Sequence, residues 1–141
     1  AMRQRYFDDF QVGEVFRAPA RTLTDAHFLF FAALTGDENP LHVDEAFART
    51  TRFGRPIAHG MLVASLISAV LSRSLPGPGT IYLSQSLEFV RPVYPGDTIT
   101  ALVEVTEMRD DKPVVTLITR CVNQHGEEVV RGKAIVLAPR T

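Results

Sequence analysis

Apolar residues fall in two rhythms along this chain. Up to about residue 75 they come in helix-like clusters, and beyond residue 80 they alternate with polar residues as strands do. The opening RYFDDFQVGEVF mixes aromatics with acids and turns at Gly13. Val15 to Leu23 alternates loosely around Pro19, which predicts an edge strand at best. Thr22 or Thr24 can cap the next element, with Asp25 favourable in a first helical turn. His27 to Leu34 (HFLFFAAL) is apolar at nearly every position and predicts a helix largely enclosed by protein. Gly36 can close that helix in a left-handed conformation, and Pro40 holds Asn39 extended and stops the helix from continuing. Asp44 then caps a short helix running to about Thr51. After a turn-rich crossing at 52–60 (RFGRPIAHG), Met61 to Leu75 gives the strongest helix pattern in the chain, and Pro76–Gly79 (PGPG) ends it.

The remainder reads as strands. Ile81, Leu83, Leu87 and Phe89 alternate with polar residues, which predicts a half-buried strand. Thr98–Met108, Val114–Asn123 and Glu127–Leu137 come next, separated by short turns, as in an antiparallel meander. An enclosed helix followed by a long antiparallel sheet predicts an α+β fold with the sheet curled around the helix.

Composition narrows the class. The 141 residues are 45% hydrophobic and 22% charged, which suits one domain, expected to span 1–141 with residues 1–11 as an N-terminal extension. Ala1 ahead of Met2 reads as an expression scar. A net charge of −1 gives no general attraction to nucleic acid or to an anionic membrane. The longest apolar run, Ile57 to Leu71, is interrupted by His59, Ser65 and Ser68 and is too short to span a bilayer. The lone cysteine, Cys121, fits a reducing compartment, so a cytoplasmic protein is expected, with neither nucleic acid nor membrane as partner.

Candidate chemistry centres on Asp37 to His42. An acid and an imidazole on one loop can share a water or a substrate proton. On a continuous helix residues five apart diverge by roughly 140°, so the proline break is what lets the two side chains converge. The same residues also suit a structural arrangement, with Asp37 in a cap or Asx turn and His42 a satisfied histidine. Gly60, ahead of the enclosed helix, offers an N–H among those left free at a helix start, suited to a carbonyl oxygen that gains negative charge; a glycine needed for packing is the alternative. His59 reads as structural. Ser65, Ser68 and Ser72 share one stripe of the helix, where serines commonly bond back to their own backbone. No cysteine cluster or HxxxH pair gives metal spacing, and there is no nucleophile elbow or phosphate loop. The arginines at 49, 52, 55 and 91 sit near turns, where they either meet phosphates or are solvated.

One stretch goes further. Phe31-x-x-Leu34-Thr35-Gly36-Asp37-x-Asn39-Pro40-Leu41-His42-x5-Ala48 resembles the signature of the MaoC-like dehydratases, which include the (R)-specific enoyl-CoA hydratases. The likeness continues through RPIAHGMLVASLISAVL, LPGPGTIYLSQSLEFVRPVYPGD and DKPVVTLITRCVNQHGE, covers about residues 12–138, and is nearest the short hydratases of polyhydroxyalkanoate synthesis. The FDDFxVG-type start is common in the wider MaoC group. The resemblance implies a hot-dog fold around the helix at 61–75 and a homodimer joined at the sheet edges, with acyl-CoA at the subunit interface. It implies Asp37 and His42 as catalytic dyad, Gly60 as amide donor to the thioester carbonyl, Asn39 as a shaper of the loop and Ser68 as a serine near the site. The acyl pocket is expected to be floored by that helix, at Ser68 and Leu71. It implies hydration of trans-2-enoyl-CoA to the (R)-3-hydroxyacyl-CoA without metal or cofactor, CoA being part of the substrate. A hot-dog thioesterase, a non-catalytic acyl-thioester binder and a hydratase of branched or dicarboxylic enoyl-CoAs are the alternatives.

Overall fold

A computed structural model describes residues 4–74 and 76–141. Its scaffold is an antiparallel sheet of six strands, in the order β1-β4-β5-β6-β3, with the short β2 also on β4. The strands are β1 (Val15–Arg17), β2 (Arg21–Thr22), β3 (Ile81–Phe89), β4 (Thr98–Met108), β5 (Val114–Val122) and β6 (Glu128–Leu137). Pro19 falls in the gap between β1 and β2, where no ladder N–H is needed. The meander expected from the alternation is β4-β5-β6. The remaining long strand, β3, closes onto β6 and has no neighbour among the described residues on its other side. Gly132 on β6 permits that closure: a Cβ there would lie 1.8 Å from the Ser86 carbonyl oxygen of β3.

Among the described residues four α-helices, besides a single 3-10 turn at Phe7–Asp9, complete the fold: α1 (Asp25–Thr35), α2 (Pro40–Val43), α3 (Glu45–Arg49) and α4 (Gly60–Arg73). The sheet curves around α4, which contacts β4, β5 and β6. Val63, Ala64, Ile67, Val70 and Leu71 are buried against Ile99, Val103, Leu117, Cys121 and Val129 in one apolar core. Burying such a side chain stabilises the fold by about 1.5–3 kcal/mol over leaving it exposed, so this helix anchors the sheet. The α+β fold expected from the pattern is therefore what forms. Helix α4 starts one residue earlier than predicted and ends at Arg73; Leu75 lies outside the described residues, as do Ala1, Met2 and Arg3.

Two other expectations need correction. Helix α1 is not enclosed: only Phe28 and Ala32 are buried, while Phe30 and Leu34 are 70% and 71% exposed. Strand β3 is not half-buried, since Ile81, Leu83 and Phe89 are all exposed. The described part of the N-terminal extension, residues 4–11, is joined to the core. Phe7 and Phe10 are buried in the core, the Phe7 N–H donates to the Pro139 carbonyl (2.9 Å), and Arg5 pairs with Glu14 (3.0 Å).

Candidate active site

The loop after α1 is held by a relay of hydrogen bonds. Gly36 takes φ 80° and donates its N–H to the Ala32 carbonyl, ending the helix in the conformation that glycine adopts without strain. The Thr35 hydroxyl donates to the Phe31 carbonyl (2.7 Å) and accepts the Asp37 N–H (3.1 Å). Asp37 Oδ1 then accepts the Asn39 N–H at 3.3 Å, an Asx turn. Asn39 Oδ1 accepts the Leu41 N–H (3.1 Å) and so caps α2, whose first residue is Pro40. Proline is favoured at that position because its missing N–H would be unpaired there anyway. The proline thus stops α1 and starts the helical turn that presents His42.

His42 is oriented from the crossing segment. Its Nδ1 lies 2.8 Å from the Ile57 carbonyl, a contact that requires the proton on Nδ1 and leaves the Nε2 lone pair free to accept another. The Ile57 N–H in turn donates to the Leu41 carbonyl (3.3 Å), and the Ala58 N–H to the Val93 carbonyl (2.8 Å). The loop, the crossing segment and the chain at Val93 are thereby tied together.

His59 and Gly60 supply the opposite wall. His59 is the N-cap residue of α4 and is 2% exposed. Its Nε2 donates to the Asp37 carbonyl (3.0 Å), and its ring packs 3.9 Å from the His42 ring and 4.8 Å from the Phe31 ring, centroid to centroid. Its Nδ1 is buried with no partner among the described residues. Burial holds its pKa below the ordinary 6.5, helped by the neighbouring His42 and opposed by the hydrogen bond to Asp37. His59 is therefore a buried strut between the acid loop and α4, its neutral form favoured by burial. The residue pattern gave it no place in the site; a histidine directly before the glycine that opens an enclosed helix was the available signal. Gly60 is the first helical residue, and its N–H has no acceptor among the described residues. A Cβ at Gly60 would lie 2.6 Å from ring carbons of Phe89 on β3, so a side chain there would have to displace that ring.

Asp37, His42, His59 and Gly60 line one cavity of about 400 Å³, with Phe53 and Phe89 among its apolar walls. Donor atoms of Asp37, His42 and His59 lie within 4.8 Å of one another. This is the described set that could hold a metal ion; the fold gathers it from positions whose spacing gave no such sign. His42 Nδ1 and His59 Nε2 are already committed to backbone carbonyls. The gap between the Asp37 carboxylate and the His42 ring equally suits a water shared by the two.

The other expected site residues fall elsewhere. Asn39 holds the loop from its cap position, its side chain bonded to Leu41. Ser68 is exposed and lines a second groove between α4 and β3, with Ser65, Leu83 and Leu87. Met61 borders both that groove and the cavity. Ser65 and Ser72 donate back to the Leu62 and Ala69 carbonyls, as serines in helices commonly do. Leu71 must be corrected: it is 2% exposed, packs in the core under the sheet and lines none of the described cavities.

Comparison with known proteins gives this geometry a context. An (R)-specific enoyl-CoA hydratase of Aeromonas caviae is 59% identical over 109 residues, 77% of this chain and 81% of that one. An (R)-specific enoyl-CoA hydratase of Rhodospirillum rubrum is 47% identical over 134 residues, 95% of this chain and 92% of that one. The solved structure of an (R)-hydratase from A. caviae, described as involved in PHA biosynthesis, superposes with a TM-score of 0.88 at 52% identity, covering 92% of this chain and 98% of that one. The family described as the MaoC like domain matches residues 9–125, from just before Phe10 through the helices to the turn after β5. The chain belongs to the MaoC-like domain family.

Proposed function

We propose that this protein is a cytoplasmic hydro-lyase that reversibly adds water to trans-2-enoyl-CoA, giving the (R)-3-hydroxyacyl-CoA. The observation that carries the reading is the convergence of Asp37, His42 and the unpartnered Gly60 N–H on one cavity. In the proposed reaction the thioester carbonyl accepts the Gly60 N–H, which together with the positive end of α4 stabilises the enolate oxygen. A water lies between Asp37 and His42. As its oxygen bonds to C3 the pair takes up one proton, and a proton is delivered to C2, so that the elements of water are added with none left over. The Nδ1–H bond to Ile57 supports His42 as an acceptor through Nε2. The reading calls on no metal or prosthetic group, CoA being part of the substrate.

The acyl chain is proposed to pass Met61 into the groove at Ser68, since Met61 borders both spaces. That groove is lined by β3, whose outer edge has no neighbour among the described residues, and a second copy of the chain is proposed to close it by edge-to-edge pairing into a homodimer. Incubation with crotonyl-CoA is expected to bleach the conjugated enoyl absorbance and yield the R alcohol. Asp37→Asn and His42→Ala are each expected to lower kcat by about 10²–10⁴-fold while the fold is retained. Release of free thiol would make the protein a thioesterase instead, and saturation without turnover would make it a binding protein. Full activity in both folded variants would remove the dyad from the mechanism.

A further inference from the structure

The cavity lining includes two cations that the proton chemistry does not use, Arg52 and Arg91. Of the four arginines near the turns, these two differ from the others. Arg49 is paired with Glu45 (3.0 Å), and Arg55, 4.3 Å from the Tyr94 ring centroid, faces a neighbouring cavity that also holds Asp25 and Glu45. Arg91 reaches Glu127 (3.7 Å) and donates to the Glu128 carbonyl (2.6 Å), which fixes it at the cavity while leaving it exposed to solvent. Arg52 has no carboxylate partner among the described residues. Its guanidinium instead lies 4.8 Å from the Phe53 ring centroid, and Phe53 lines the same cavity. Stacking of this kind holds an exposed arginine in place, so less freedom is lost when it meets an anion.

An acyl thioester brings a neutral end to Gly60, where no arginine is needed. Its pantetheine arm, however, ends in phosphate. Asp37 is the only carboxylate among the described residues lining the cavity, and it sits at the reacting end. With a net charge of −1 the protein as a whole offers an anion no attraction, so recognition of phosphate has to be local. We infer that Arg52, assisted by Arg91, forms a subsite for the phosphate groups of the substrate's pantetheine carrier. This rests on the hydratase reading above and deepens it: the arginines choose the carrier, while Asp37, His42 and Gly60 treat the acyl group.

The test compares hydration of crotonyl-CoA, crotonyl-4′-phosphopantetheine and crotonyl-pantetheine by the native protein, Arg52→Ala, Arg52→Glu and Arg91→Ala. The native kcat/KM is expected to favour crotonyl-CoA over the phosphate-free thioester. That ratio is expected to fall about 5- to 10-fold in Arg52→Ala, through KM, and further in Arg52→Glu, as expected for a charge-assisted contact. Arg91→Ala should lower it less, since a carboxylate already offsets that charge. Added salt should erode the native ratio. A loss already present with the phosphopantetheine thioester assigns the subsite to the phosphate that CoA shares with a carrier protein; a loss confined to CoA assigns it to the nucleotide phosphates. An unchanged ratio in both Arg52 variants overturns the inference. Calorimetry with CoA gives the same comparison without turnover, so a native protein that binds CoA through Arg52 but hydrates nothing would sink the hydratase reading alone.

Discussion

Helices α1 and α4 are both built mainly of apolar residues, yet α4 lies within the curve of the sheet and α1 lies outside it. On α4, Ile67 and Val70 are wholly buried; on α1, Phe30 and Leu34 remain largely exposed. Strands β4 and β3 repeat the contrast. Strand β4 has β1, β2 and β5 beside it and α4 across it, whereas β3 has only β6 among the described strands. The same apolar character is covered by the chain itself on α4 and β4, and is left exposed on α1 and β3. His59 stands between the two regions, at the N-cap position of α4 with its ring packed on Phe31 of α1.

The contrast is open to measurement. Ile67→Ala, in the enclosed region, is expected to lower stability by about 2–5 kcal/mol, seen as a lower urea midpoint with little change in slope. A smaller loss would mean that the sheet closes on α4 less tightly than the burial indicates. Leu83→Lys, on the open strand, is expected to change the stability of an isolated chain by under about 0.5 kcal/mol. It should nonetheless shift sedimentation from dimer to monomer and reduce activity, because it places charge on the edge proposed to pair. A dimeric, fully active Leu83→Lys protein would end the case for β3 as the interface.

His59 tests the joint between the regions. Burial favours its neutral form in the fold, whereas the unfolded chain takes up a proton near pH 6.5. Stability should therefore fall as pH drops through 6.5 and level off below the depressed folded value, since the unfolded state binds the extra proton in that window. His59→Gln keeps a donor for the Asp37 carbonyl and should flatten this dependence, read from urea midpoints between about pH 5 and 8. An equal slope in both proteins would show another group to be responsible. Cys121 makes the mildest demand. Its thiol contacts the Val63 carbonyl of α4 (3.7 Å), and burial pushes its pKa up to about 12. The native protein should leave it unlabelled by thiol reagents at pH 8, and rapid labelling would reveal that the sheet opens from α4.

Much of this arrangement was legible in the residues, and the gaps have physical causes. Gly36, Asn39 and Pro40 mark the loop because each supplies a backbone conformation or a cap that few residues can. Gly60 stood out as an amide at the start of the enclosed helix, with tight packing as the alternative; that the ring it would meet is Phe89 depends on how the sheet folds back and could not be read from the pattern. Pro40 was read as a stop alone, although a proline that cannot continue one helix is well suited to begin the next, as it does in α2. Ser68 and Leu71 show a different limit. On a helix apolar nearly all round, the serine stripe was the one mark of the open face, and the sheet covers Leu71, off that stripe. Helix α1 shows the complementary limit: its apolar pattern predicted an enclosed helix, and among its residues only Phe28 and Ala32 are buried.

Phe89 gives the open strand a further meaning. It belongs to β3 and at the same time walls the cavity against Gly60. If a second chain pairs with this edge, the wall of the catalytic cavity is firm only in the associated state, and the protein's own concentration acts as a ligand of its active site. Specific activity would then decline on dilution along the same curve as dissociation, and would recover on reconcentration, by mass action alone.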